Sequence, residues 1–213
     1  MNMKNKVKRV FPVFPTPVYM AKRNSEPSAE EENDIDEILK ERLNTNVGNF
    51  NSSDQYIFNS RLKEIKQFCD IQILGYIEEV IYPKKEDIQM YITQSWLNIN
   101  KPGGFHHVHN HSNSILSGVF YISTQEGDSI CFIDPNADIK NTIVFEYKDW
   151  NEWNSITTYF PVSAGELVIF PSWLRHSVPP NENATKDRIS LSFNTFVRGT
   201  LGNRSNLNEL ILK

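Results

Sequence analysis

The chain has 213 residues, enough for one sizeable hydrophobic core and too few for two comfortable ones, so a single domain is expected. Its 39% hydrophobic and 12% aromatic content is that of a folded globular protein, and a net charge of -4 with a pI near 5.8 gives no electrostatic reason to bind nucleic acid. Cys69 and Cys131 fall inside apolar patterns and read as buried free thiols, which suits a reducing, cytoplasmic setting, while Pro12, Pro15 and Pro17 break the one apolar run near the start, so neither a signal peptide nor a membrane span is expected and the chain reads as soluble.

In chain order, residues 9–22, "RVFPVFPTPVYMAK", read as an extended edge strand, where proline is tolerated because it need not donate to a ladder. Such a strand could also pair across a homodimer. Residues 28–44 place Ile35, Ile38, Leu39 and Leu43 at helical spacing behind an acidic first turn, predicting an amphipathic helix of about three turns. Residues 44–59 are rich in Asn and Ser and read as a loop. Residues 60–82 put Leu62, Ile65, Cys69, Ile73, Tyr76, Ile77 and Val80 on one stripe and predict a second helix that ends before Pro83.

From Ile88 the apolar period changes from 3.6 to 2. Strand-like runs follow at 88–99, 115–122, 129–133, 142–147 ("TIVFEY"), 166–170 and 188–197. The expected fold is mainly β, a sandwich or double-stranded β-helix of the jelly-roll type backed by about two helices. Residues 1–87 would supply the N-terminal strand and supporting helices, 88–200 the β-helix core and 201–213 a tail.

Four of the five histidines, His106, His107, His109 and His111, lie within "GGFHHVHNHSNS", after a turn at Gly103 and Gly104. On an extended strand His109 and His111 share a face and can grip one metal, with His176 in "FPSWLRHSVPP" as a remote third ligand. A solvated histidine tract and a hydrogen-bonded core His176 are the bland alternatives. An expression tag does not fit a cluster that is internal and irregular. In "DRISLSFN", Ile189, Leu191, Phe193 and Thr195 take one face, while Arg188, Ser190, Ser192 and Asn194 take the other. Turned into a barrel, a buried Arg188 requires an anion, and its planar guanidinium beside a hydroxyl suits a carboxylate; turned outward it is an ordinary surface charge.

The segments "FPTPVY", "SWLNINKPGGFHHVHNHSNSILSGVFYI", "AGELVIFPSWLRHSVPPN" and "DRISLSFN", in this order and spacing, resemble the Fe(II)- and 2-oxoglutarate-dependent oxygenase superfamily. The likeness covers most of the chain and is strongest to small members of the kind found in phages and marine bacteria. "NKPGGFHHVHNH" is similar to the motif of prolyl-hydroxylase-like members, in which Pro-Gly-Gly and four residues precede a His-x-Asp metal pair. On that register the resemblance implies His109, His111 and His176 as metal ligands and catalytic residues, with His111 standing where relatives carry a carboxylate, and Arg188 with Ser190 as the pair that holds the far carboxylate of 2-oxoglutarate. His106 and His107 would be rim or surface residues. Gln94, Trp96, Asn98 and Asn100 share one face of their strand, so Asn98 and Trp96 are pocket candidates, with core the favoured reading of Trp96; Tyr121 is a further candidate for the cosubstrate pocket, and Trp173 is either an entrance or a cap.

The resemblance implies Fe(II), 2-oxoglutarate and O2 as cofactors, with ascorbate as an accessory reductant, and decarboxylation of 2-oxoglutarate coupled to oxidation of a small molecule or protein side chain. Two alternatives stay open. Because His111 replaces the usual carboxylate, a cupin-like three-histidine metalloenzyme without 2-oxoglutarate is one, and Asp134 is a substitute third ligand. A non-catalytic jelly-roll binding or structural protein is the other.

Overall fold

A computed structural model describes residues 9–140 and 143–213. Its strands are β1 (Tyr19–Lys22), β2 (Leu43–Thr45), β3 (Phe50–Ser52), β4 (Gln89–Asn100), β5 (His106–His109), β6 (Leu116–Ser123), β7 (Ser129–Ile133), β8 (Thr157–Pro161), β9 (Glu166–Pro171), β10 (His176–Val178), β11 (Arg188–Leu201) and β12 (Leu210–Leu212). They form an antiparallel sheet in the order β1-β9-β6-β11-β4-β3-β2, to which β12 adds on β11, and a four-stranded sheet β5-β10-β7-β8. This is the double-stranded β-helix that the alternating pattern predicts.

Strand alternation divides the apolar residues between two cores. On β9, Leu167 and Ile169 join Leu97 and Ile99 of β4 and Leu191 and Phe193 of β11 in a cluster with the helices, while Val168 and Phe170 turn the other way onto Ile130 and Phe132 of β7. The helical layer is α1 (Ala29–Lys40) and α2 (Lys63–Tyr76), which contribute Ile35 and Ile38, and Ile65, Cys69 and Ile73. Each such side chain taken from water stabilises the sandwich by about 1.5–3 kcal/mol before entropy is counted. Both cysteines are buried and free.

Helix α1 starts at a capping box: the Ser28 side chain accepts from the Glu31 backbone N–H, and Glu31 accepts in return from the Ser28 N–H at 2.9 Å. Buried Glu31 also receives Arg23 at 2.9 Å, so the chain leaving β1 is tied to the helix start. The second helix continues past α2 as a π-helical turn, Ile77–Ile81, and stops at Tyr82 in the left-handed region, one residue before Pro83.

Five local expectations change. The edge strand shrinks from residues 9–22 to β1, because the ladder forms only beyond the last proline, Pro17; residues 1–8 lie outside the described residues. The segment 44–59 is not a plain loop, since β2 and β3 form a hairpin that pairs with β4 through Phe50 and Ile99, and strands of three residues are too short to show a period. Its turn needs Gly48 at φ +80°, where an added Cβ would strike Phe105. Residues 143–147 of "TIVFEY" are not a strand, Thr142 lying outside the described residues: β7 is already paired by β10 on one side and β8 on the other, so Ile143, Val144 and Phe145 stay exposed. Strand β8, missed by the period, carries its signal in the β-branched and aromatic run "TTYF". The tail holds β12, paired to the end of β11. Among the described residues no helix is long and apolar enough to cross a membrane.

One packing contact gives a direct test. Gly118 of β6 lies opposite Phe193 of β11, and a Cβ on Gly118 would overlap the Phe193 ring. Gly118→Ala is expected to destabilise the fold by about 1–3 kcal/mol, as overpacking does, measured by urea denaturation; an unchanged midpoint would show that the ring can move aside.

Candidate active site

The short strand β10 lies between β5 and β7, and its register sets His176 directly opposite His109 on one side and Phe132 on the other. His111 lies two residues past the end of β5 rather than on the strand, so its place beside His109 does not come from alternation. The Ser172 carbonyl accepts its backbone N–H at 2.9 Å and folds it back. The ligand-capable nitrogens of His109, His111 and His176 lie within 4.8 Å of one another, with ring centroids 5.0 Å apart for His109 and His111, 4.3 Å for His109 and His176, and 5.2 Å for His111 and His176.

Backbone carbonyls set two of the tautomers. His109 Nδ1 is 2.8 Å from the His107 carbonyl and His176 Nδ1 is 3.0 Å from the Leu174 carbonyl, and a carbonyl can only accept. Each Nδ1 therefore carries the proton and each Nε2 keeps a free lone pair, the state in which imidazole binds metal. Burial pushes the basicity of these rings down, for His176 to about 2 and for His111 to about 4, with neighbouring imidazoles adding to the effect; burial also lowers His109. All three rings are neutral at neutral pH and able to act as ligands. Phe170 packs on His176 at 4.6 Å between ring centroids and holds the ring in an apolar wall.

Next to this group the polar face of β11 turns inward, as the alternation of Arg188, Ser190 and Ser192 predicts. Arg188 is 5% exposed, donates from one Nη to the Ser129 carbonyl at 3.0 Å, and leaves its Nε–H without a partner. The Tyr121 hydroxyl and the Asn100 Nδ2 are also buried and unpartnered. Burial raises the Tyr121 hydroxyl to about 12, so it stays a donor. Ser190 lies between Asn98 of β4 and Tyr121 of β6 in the ladder, and Asn98 donates to Ser192 at 2.8 Å. A buried cation and two unused donors in one cavity are costly unless something accepts from them, and a carboxylate does so.

Two sequence expectations need correction here. Trp96 is half-buried on the cavity wall, 6.0 Å from His111 between ring centroids, and is a pocket residue rather than core, because β4 presents it on the same side as Asn98 and Asn100. His106 is not a simple rim residue: it lines the cavity, stacks on His109 at 4.2 Å and faces the Nδ2 of Asn46 at 3.2 Å. His107 and Trp173 are exposed. Asp134 lies in neither histidine group and accepts the Asn136 N–H at 2.8 Å, the turn role expected of an Asp before Pro. Asn100 shares the strand face of Trp96 and Asn98, as alternation predicts, whereas Asn46 carried no periodic or motif signal and is brought beside His106 only by the turn of the β2–β3 hairpin.

Residues 94–194, which span the histidines and Arg188, match the family described as "Putative 2OG-Fe(II) oxygenase". That match covers a little under half of the chain. The family so described is one of oxidoreductases that use Fe(II), 2-oxoglutarate and O2. Among solved structures the chain is similar in fold to a Pseudomonas putida prolyl-4-hydroxylase, with 16% identity and a TM-score of 0.53 over 84% of this chain and 92% of that one. It is similar also to HygX from Streptomyces hygroscopicus with nickel and 2-oxoglutarate bound, with 9% identity and a TM-score of 0.55 over 84% and 82%, and to the carbocyclase SnoK from nogalamycin biosynthesis, with 12% identity and 0.56 over 84% and 79%. Comparison with curated protein sequences finds no match.

Proposed function

We propose that this chain is a 2OG-Fe(II) oxygenase that holds Fe(II) with His109, His111 and His176 and anchors the far carboxylate of 2-oxoglutarate on Arg188, with Ser190, Tyr121 and Asn98 around it. The observation that carries the reading is that three neutral imidazoles and a buried guanidinium with an unused N–H line the same cavity. The nickel and 2-oxoglutarate bound by HygX support it, as that protein shares the fold. When bound, the metal and cosubstrate supply O2-dependent oxidation of a substrate C–H bond, with 2-oxoglutarate leaving as succinate and CO2.

The chain's own residues do the positioning. The carbonyls of His107 and Leu174 orient two ligand rings, Arg188 neutralises and fixes the distal carboxylate, and the Tyr121 hydroxyl donates to an oxygen of the same anion. Ile130 and Phe170 complete an apolar wall that keeps water from the reacting centre. The substrate is a small molecule or a protein side chain.

An anaerobic titration tests the proposal: Fe(II) followed by 2-oxoglutarate is expected to give a metal-to-ligand charge-transfer absorbance, and admission of O2 to yield succinate. A metal-loaded protein that shows neither would favour the cupin-like three-histidine reading, which His111 in place of a carboxylate supports. His111→Asp is expected to retain stoichiometric Fe(II), since one carboxylate with two imidazoles is the commoner ligand set for such iron. Complete loss of metal from that variant, measured by metal analysis after gel filtration, would mean that the third ligand must be an imidazole.

A further inference from the structure

A second histidine group overlaps the first. The ligand-capable nitrogens of His106, His107 and His109 also lie within 4.8 Å of one another, with ring centroids 5.0 Å apart for His106 and His107, 4.2 Å for His106 and His109, and 5.4 Å for His107 and His109. Burial grades along the five rings: His107 is exposed, His106, His109 and His111 are half-buried, and His176 is 4% exposed. From these contacts we infer that His106, His107 and His109 form an outer, transient site that takes a divalent metal ion from solvent and passes it, through the shared His109, to His111 and His176.

Two details separate a relay from a two-metal centre. His109 has committed Nδ1 to the His107 carbonyl, so it offers one lone pair and the two groups cannot both be filled through it. On the outer side, the Asn46 Nδ2–H faces His106 Nε2 at 3.2 Å and donates to it, so metal capture there competes with an existing hydrogen bond. The outer group is thereby the weaker one, and the ion moves inward to His111 and to the more buried His176, whose ring is held by Leu174 and Phe170. Capture at the surface makes the second step intramolecular, which raises the rate of loading without adding a ligand to the final site.

The inference rests on the inner group being the metal site proposed above, and the experiment separates the two. Metal-free protein is mixed with Co(II) in a stopped-flow spectrometer, and the ligand-field absorbance is followed to equilibrium. The double variant His106→Ala with His107→Ala is expected to load about ten-fold more slowly than the wild type while reaching the same final spectrum and stoichiometry. The double variant His111→Ala with His176→Ala is expected to keep a weak, rapidly exchanging Co(II) that disappears when His107→Ala is added. Loading of the first variant at the wild-type rate overturns the relay. If His111→Ala with His176→Ala instead binds Co(II) as tightly as the wild type, the inner ligand assignment itself fails.

Discussion

Replacing His176 with alanine is expected to weaken Fe(II) binding by more than about 100-fold, beyond the 10- to 100-fold typical of losing a group that only orients a ligand. His176 is the most buried of the three imidazoles, lies directly across the ladder from His109, and presents its Nε2 because the Leu174 carbonyl occupies Nδ1. His106 and His107 group with His109 but not with His111 or His176, so neither is placed to replace it. Since the ring also fills space against Phe132 and Phe170, His176→Asn is a useful companion that keeps more of the volume. Calorimetric Fe(II) titration under anaerobic conditions, with circular dichroism to verify the fold, measures the effect. Retained tight binding in both variants, with a loss in His106→Ala instead, would move the metal to the outer group.

The second large effect is expected at Arg188. Arg188→Ala removes a buried cation that faces unused hydrogen-bond capacity, and truncation of one partner in such a buried charged pair costs about 2–5 kcal/mol. That corresponds to a loss of 2-oxoglutarate affinity of about 30-fold or more, with Fe(II) affinity unchanged because the guanidinium is not a ligand. Arg188→Lys is expected to recover part of the loss, since it restores charge without the planar fork. The charge-transfer absorbance titrated with 2-oxoglutarate reads the affinity directly. Equal affinity in the alanine variant would remove 2-oxoglutarate from the cavity and leave the three-histidine alternative standing.

Much of this was legible in the chain because strand alternation is a local property. Arg188, Ser190 and Ser192 face the cavity, and Leu191 and Phe193 face the helices, as period two requires. The second helix ended where Pro83 demanded, and the order of motifs from Trp96 to Asn194 lies within the matched family segment. Trp96 was misread because a half-buried aromatic on an alternating strand has the same pattern whether its face is lined by helices or by a cavity. The hairpin of β2 and β3 left no period in three-residue strands, and "TIVFEY" has strand composition although its described residues join neither sheet.

The sequence by itself determined which residue types were available, five histidines and one arginine on a polar strand face, and which of them share a face within one strand. Only the tertiary structure decided which of them meet. His111 is brought to His109 by the Ser172 carbonyl and not by strand geometry, and His176 arrives opposite His109 through the pairing of β10 with β5, two strands far apart in the chain. The tautomers of His109 and His176 depend in the same way on carbonyl groups that no side-chain pattern records. Side-chain periodicity is written one strand at a time, whereas a metal site requires nitrogens from separate strands to converge within a few ångströms, and cross-strand register alone sets that convergence.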